Sequence, residues 1–232
     1  MDKRFLNETF DQYAVDYDAA LNQGISVSGE DKVYFARGRM AWLARCLRRL
    51  NEHPRQAIDF GCGIGSSTPF LFDLVGITNL IGVDVSSESL GVAAELYGAL
   101  QAHFLPFEDY DPSEQLDLAF CNGVFHHIAP DDRAGAVEYI WRSLRPGGLF
   151  SFWENNPWNP GTRYVMRRIP FDRDAITLSA PEARRLLSVG GFEILRTDYL
   201  FIFPASLSWM RFIEPVVTRL PLGAQYQILC RK

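Results

Sequence analysis

Asp59 stands two positions ahead of a glycine-rich run, Asp59-Phe60-Gly61-Cys62-Gly63-Ile64-Gly65. Glycines at alternate positions let a backbone turn tightly and come close to a ligand that side chains would hold off. Many nucleotide sites share such a turn, so the informative residue is the acid. A pyrophosphate gains nothing from a carboxylate there, whereas a ligand with a cationic ammonium group does. Asp84 closes the next apolar run, Leu80-Ile81-Gly82-Val83-Asp84, where an acid accepts hydrogen bonds from two ribose hydroxyls. Further on, His126 and His127 are adjacent, and histidine titrates near neutral pH, so either could take a proton from a hydroxyl or amine. Neighbouring side chains diverge, so at most one of the pair faces an acceptor, and packing or capping accounts for either equally well. Glu154, at the head of Glu154-Asn155-Asn156-Pro157-Trp158, could orient a polar acceptor, with Trp153 or Trp158 as an apolar wall.

These residues fall at the ends of elements able to hold them. Met40, Leu43, Leu47 and Leu50 have helical spacing within Val33 to Leu50. The period then changes to short apolar strands: Gln56 to Phe60, Leu80 to Asp84, a weaker Ala102 to Phe104, Leu116 to Cys121, and Leu149 to Trp153 after the turn Pro146-Gly147-Gly148. Ser66 to Thr68 can cap a helix with Pro69 in its first turn, Ser86 opens another, and Asp131 to Leu144 reads as a third. Strands alternating with helices predict a parallel sheet covered on both faces, with ligands beyond the carboxyl ends of the strands. Asp59, Asp84, Asn122 and Glu154 all fall at such ends. The last third differs: a helix Ser179 to Val189, a long strand Phe192 to Phe203, a helix near 206–220 and a final strand Tyr226 to Cys230, which suggests an antiparallel hairpin at the sheet edge.

Taken together these motifs resemble the class I, Rossmann-like S-adenosylmethionine-dependent methyltransferases, of the small-molecule or quinone type (methyltransferase type 11/12-like). Ile58 to Gly65 is similar to the family's first signature, and Asp84 to its ribose-binding acid. Leu116-Asp117-Leu118-Ala119-Phe120 resembles the fourth-strand motif, Val124-Phe125-His126-His127-Ile128 the segment after it, and Leu144-Arg145-Pro146-Gly147-Gly148 the turn before the fifth strand. The resemblance covers about residues 50–203. Phe10-Asp11-Gln12-Tyr13-Ala14 also resembles the helical cap of such proteins. It implies a three-layer α/β sandwich with a mostly parallel seven-stranded sheet, an antiparallel last strand and an N-terminal helical cap. Residues 1–50 would form the cap and first helix, and 51–232 the core.

It also implies S-adenosyl-L-methionine as cofactor, held by Tyr17, Asp59, Gly61, Cys62, Gly63, Gly65, Asp84, Val85 and Asn122. His126, His127 and Glu154 are the candidates for work on the acceptor. Many relatives place an acid after the third strand, beside the adenine. Here that stretch is Gln101 to Phe107, with acids only at Glu108 and Asp109. A nicotinamide-dependent dehydrogenase shares the glycine turn, but Asp59 argues against it. A scaffold that kept the fold and lost turnover stays open.

Composition narrows the partners. Twenty-three basic against 28 acidic residues give a net charge of −5, with no basic footprint for nucleic acid. Four scattered cysteines make neither a CxxC pair nor a metal-ligand spacing and predict a reducing, cytoplasmic setting without a metal. Met1 to Phe5 is charged where a signal peptide needs an apolar run, and no stretch reaches the ~18 apolar residues of a membrane span. Phe201 to Leu222, rich in Phe, Leu, Trp and Met with interspersed arginines, predicts either a helix packed on the domain edge or a peripheral membrane contact. A small-molecule or lipid-like acceptor fits both.

Overall fold

The computed structural model describes residues 28–169 and 175–232. Tyr13, Tyr17 and most of the expected cap lie outside the described residues. The first helix among the described residues, α1 (Lys32–Leu50), starts at Asp31, whose carboxylate accepts the backbone N–H of Tyr34, and stops at Asn51 in the left-handed conformation. Then follow β1 (Gln56–Phe60), a one-turn helix α2 (Thr68–Phe70) continuing as a π-turn over Leu71–Val75, β2 (Asn79–Asp84), α3 (Ser87–Tyr97) and β3 (Ala102–Pro106). Next come β4 (Leu116–Asn122), α4 (Arg133–Ser143), β5 (Leu144–Asn155), α5 (Pro160–Met166) and α6 (Ala180–Val189). β6 (Glu193–Leu200), a 3₁₀ segment Ala205–Ile213, α7 (Glu214–Val217) and β7 (Gln225–Arg231) complete the described chain.

The seven strands form one sheet in the order β3-β2-β1-β4-β5-β7-β6. β3, β2, β1, β4 and β5 are mutually parallel, and β7 runs antiparallel to both of its neighbours. The expected antiparallel pair is present, but β7 is threaded between β5 and β6, so the edge strand is β6.

Strand alternation separates two cores. Ile58, Phe60, Ala119, Cys121, Phe150, Phe152 and Ile228 face Val137 and Ile140 of α4 and Ala183 and Leu187 of α6. Ala57, Leu118, Phe120, Leu149, Trp153 and Leu229 face Met40, Leu43 and Leu47 of α1. Asp59, between Ile58 and Phe60, therefore points to the α1 side.

Three local expectations are corrected. Ser67 occupies the N-cap of α2 but makes no side-chain cap bond, and the helix widens into the π-turn after a single turn. Pro146-Gly147-Gly148 lies inside β5 because Gly147 N–H is taken by the Lys232 carbonyl, which keeps the segment extended. The helix expected near 206–220 is broken into a 3₁₀ piece, kinked at Leu207, and a short α piece, which meet at Ile213–Glu214. The capping box at Ser179 and Glu182 forms as the sequence suggests.

Candidate functional site

β1 ends level with β4 and β2, since Phe60 pairs with Cys121 and Val83. The chain then turns sharply: Gly61 N–H and Cys62 N–H both donate to the Val83 carbonyl, at 2.8 and 3.1 Å. Gly61 has φ +73°, and a Cβ there would lie 2.3 Å from a Val124 methyl, so this position takes only glycine. A Cβ on Gly63 would meet nothing within 4 Å, so space is open beside the turn. Asp84 reaches under it, one carboxylate oxygen accepting Gly63 N–H at 2.7 Å and the other Ser86 N–H at 3.0 Å.

Asp59 is 3% exposed. Burial, reinforced by the nearby Asp84 charge and opposed by Arg39 of α1, pushes its carboxyl up to about 7. The same burial, with both acids adding to it, holds the Cys62 thiol well above its ordinary value, so Cys62 is a neutral neighbour rather than a nucleophile. Val85 is 38% exposed just past Asp84.

Beyond the ends of β4 and β5 lies a cavity of about 410 Å³. Asn122, Gly123, His126 and His127 form its β4 side, and Asn155 and Gln225 belong to its β5 and β7 side. Phe35, Met166, Phe201 and Phe203 supply apolar wall, and Lys32, Arg39 and Arg211 supply cations. The Asn122 side-chain oxygen is buried with no hydrogen-bond partner. A buried acceptor left open in a cavity wall suits a ligand donor. Arg39 donates to Gln225 at 3.0 Å and Gln225 to Asn155 at 3.2 Å, a polar chain across this side of the cavity.

The two histidine rings lie against each other with centroids 4.1 Å apart and planes tilted by 49°. His126 Nδ1 lies 2.6 Å from Glu154 Oε2, with both side chains almost wholly buried. The other Glu154 oxygen accepts the backbone N–H groups of Phe125 and His126, at 2.8 and 3.3 Å. Glu154 therefore sits beneath the loop, outside the cavity lining, and fixes the His126 ring from behind. With Nδ1 donating to the carboxylate, Nε2 carries the lone pair of the neutral imidazole.

Arg133 locks the same loop. Its Nε donates to the carbonyls of Phe125 and Ile128, at 3.1 and 3.0 Å, and Nη2 to that of Ile176 at 2.6 Å. Ile176 N–H in turn donates to the His126 carbonyl at 2.9 Å.

The structure thus gathers Asp59, Gly61, Cys62, Gly63, Gly65, Asp84 and Val85 at one strand-end turn. Asn122, His126 and His127 stand at the adjoining cavity. Neither tryptophan forms its wall: Trp153 is buried in the α1-side core with its indole N–H on Ser151, and Trp158 is 52% exposed. The apolar wall comes instead from Phe35 and Phe201, distant in sequence. Arg39, Gln225 and Arg133 carry no motif signal, because only tertiary packing brings them to the strand ends. Among the described residues no cluster of His, Cys, Asp and Glu could hold a metal ion.

A family model described as a methyltransferase domain matches residues 58–150. Trans-aconitate 2-methyltransferase of Acidovorax sp. (strain JS42) is 26% identical over 175 residues, spanning 69% of this chain and 67% of that protein. Magnesium protoporphyrin IX methyltransferase of Synechocystis PCC 6803, solved with SAH bound, matches at TM-score 0.67 and 16% identity, covering all of both chains. An S-adenosylmethionine-dependent methyltransferase of Mesorhizobium loti matches at TM-score 0.58 and 18% identity, over 81% of this chain and 96% of that one. The two structural likenesses are likenesses of fold.

Proposed function

We propose that the chain is a class I S-adenosylmethionine-dependent methyltransferase acting on a small-molecule acceptor, as the methyltransferase-domain match and the trans-aconitate methyltransferase relative support, and that the 410 Å³ cavity takes an acceptor hydroxyl whose proton passes to His126. The observation that carries the proposal is the His126–Glu154 pair at the cavity edge.

The turn fits the cofactor. The open space at Gly63 gives it room, Asp59 offers a buried carboxylate to an ammonium group, and Asp84, held on Gly63 and Ser86 N–H, places its carboxylate at the end of β2 beside that space. The unpartnered Asn122 oxygen adds an acceptor at the border of the two spaces. When bound, S-adenosylmethionine supplies an electrophilic methyl group on a sulfonium. The protein's work is to hold the acceptor oxygen in line with it and to keep water out. His126 takes the hydroxyl proton on Nε2, and Glu154 holds the ring's tautomer and stabilises the imidazolium. Phe35, Phe201 and Met166 suit the apolar body of a lipid-like acceptor. A cytoplasmic setting is supported by four thiols, all free.

A carboxylate acceptor is the second reading, favoured by Lys32, Arg39 and Arg211 around the cavity and by a relative named for trans-aconitate. A carboxylate is already ionised and needs no base.

The first test is thermal shift with S-adenosylmethionine, S-adenosylhomocysteine and NAD. At about a hundred times Kd a ligand stabilises by ~2.7 kcal/mol, which raises Tm by about 5–10 °C here. The two adenosyl ligands should shift Tm, NAD should not, and Asp84→Ala should remove the shift. With an acceptor from a labelled-methyl screen, His126→Gln should lower kcat by about 10²–10⁴ for a hydroxyl acceptor. A loss of only a few fold would transfer the proposal to the carboxylate.

A further inference from the structure

Two segments form neighbouring walls of the cavity, α5 with its flanks (157–169) and the insertion between β6 and β7 (204–224). They are joined directly: Asn159 donates to the Leu222 carbonyl and Thr162 to that of Ala224, both at 2.7 Å. The inner side of the insertion is committed. Glu214 accepts the backbone N–H groups of Ile202 and Phe203, and Arg211 pairs with Glu30 and covers the Tyr34 ring.

The outer side is not built like ordinary surface. Trp209 is 71% exposed, Phe212 76% and Val216 83%. Trp209 and Phe212, three residues apart in the 3₁₀ segment, share one of its faces, and Val216 of α7 and Leu220 of the turn after it are exposed as well. Trp158, Tyr164 and Leu222 are each about half exposed on the joined segment. Single exposed apolar residues are normal, but this many large ones, two tryptophans among them, on two segments hydrogen-bonded to each other mark an interaction surface. Its charge is also anomalous. In a chain of net charge −5, these two described stretches hold Arg163, Arg167, Arg168, Arg211 and Arg219 against one acid, the inward Glu214. Arg163, Arg167, Arg168 and Arg219 are exposed.

We propose that this face seats on an anionic bilayer surface, with its aromatic and aliphatic side chains in the headgroup region and its arginines among lipid phosphates. Aromatic rings with an apolar body and polar tip, interspersed with arginine, are the chemistry of that interface, and positive charge on an acidic protein is its electrostatic complement. Among the described residues no helix is long and apolar enough to cross a membrane, so the contact is peripheral. The consequence deepens the function proposed above and rests on it: the cavity that takes the acceptor is walled by the membrane-facing segments, so an amphipathic acceptor can pass to it from the lipid.

The test is co-sedimentation of the full chain with phosphatidylcholine vesicles, with and without about 30 mol% phosphatidylglycerol, at low and high salt. Wild type should bind the anionic vesicles only, release them in high salt, and shift its tryptophan emission to the blue on binding. Trp209→Ser with Phe212→Ser should weaken binding about tenfold or more, and Arg163, Arg167 and Arg168 to Gln about a hundredfold. Each variant is first checked for a wild-type thermal shift with S-adenosylhomocysteine, which reports an intact fold. Absence of wild-type binding to anionic vesicles, or binding that neither variant changes, overturns the proposal. So does a stable dimer that the Trp209/Phe212 variant converts to monomer, since the face would then be a protein interface. Failure of the cofactor shift in wild type would overturn the cofactor site and leave the vesicle result to stand or fall by itself.

Discussion

Asp59 is a carboxyl at the site whose ionisation the fold opposes. Its folded pKa of about 7 stands above the ordinary 3.8 because the carboxylate has lost water and lies near Asp84. The folded state therefore keeps this proton after the unfolded chain has lost it. Stability from this group is complete below about pH 4 and declines as pH rises to about 7. Urea unfolding of the ligand-free protein should show that decline, and Asp59→Asn should flatten it. A cationic amino group in the site favours the ionised acid, so cofactor binding below pH 7 should release a proton. Calorimetry in buffers of different ionisation enthalpy would detect it. Both acids and the glycine turn were legible in the sequence because they are contiguous or close strand-end motifs. The role of Glu154 was not, since facing the acceptor or bracing His126 depends on strand alternation carried to the end of β5. His126 and His127 could be named as a pair, but only the Glu154 contact distinguishes them.

The element that matters most to the proposed chemistry is the loop from β4 to α4. It carries Asn122, His126 and His127, and its path is fixed by Arg133 rather than by regular secondary structure. Arg133→Met would take the guanidinium from three carbonyls, of which that of Phe125 keeps the Ile128 N–H. It should cost about 2–3 kcal/mol, a Tm loss of about 4–12 °C. Acceptor turnover should fall while S-adenosylhomocysteine affinity stays near wild type, because the glycine turn is anchored on Val83 and Asp84 instead. Thermal unfolding and a binding titration on the same sample separate the two effects. Strand and helix positions were readable from periodicity, because each strand is a short apolar run bounded by turn residues. Where period and local chemistry conflict, as in β5 at Pro146-Gly147-Gly148, pairing with the strand opposite decided the outcome.

Across the whole molecule, one buried acid ties distant parts together. Asp198 of β6 is fully buried and accepts from Trp42 of α1 at 3.2 Å and Thr218 at 3.1 Å, while pairing with Arg196. Asp198→Ala should destabilise by about 3–5 kcal/mol, because it strands a partly buried guanidinium and a buried indole N–H. A lower urea midpoint at an unchanged slope would report this as lost native stability. Such a hub has no sequence signature: Trp42, Asp198 and Thr218 are far apart in the chain and meet only through the completed sheet. The cavity is equally a product of the whole, with lining from α1, β4, β7 and the insertion.

The threading of β7 between β5 and β6 also sets an order of events. Among the described residues β6 has β7 as its sole sheet neighbour, and β7 is made after it, so on the ribosome β6 emerges before the strand it joins. During that interval both its edges are open to wrong pairing. The segment that keeps it waiting, residues 201–224, is also the one that walls the cavity. The first five strands can assemble the glycine turn early, whereas Gln225 joins Arg39 only when β7 slots into place. Cofactor-binding capacity should therefore arise during synthesis before any capacity to hold an acceptor.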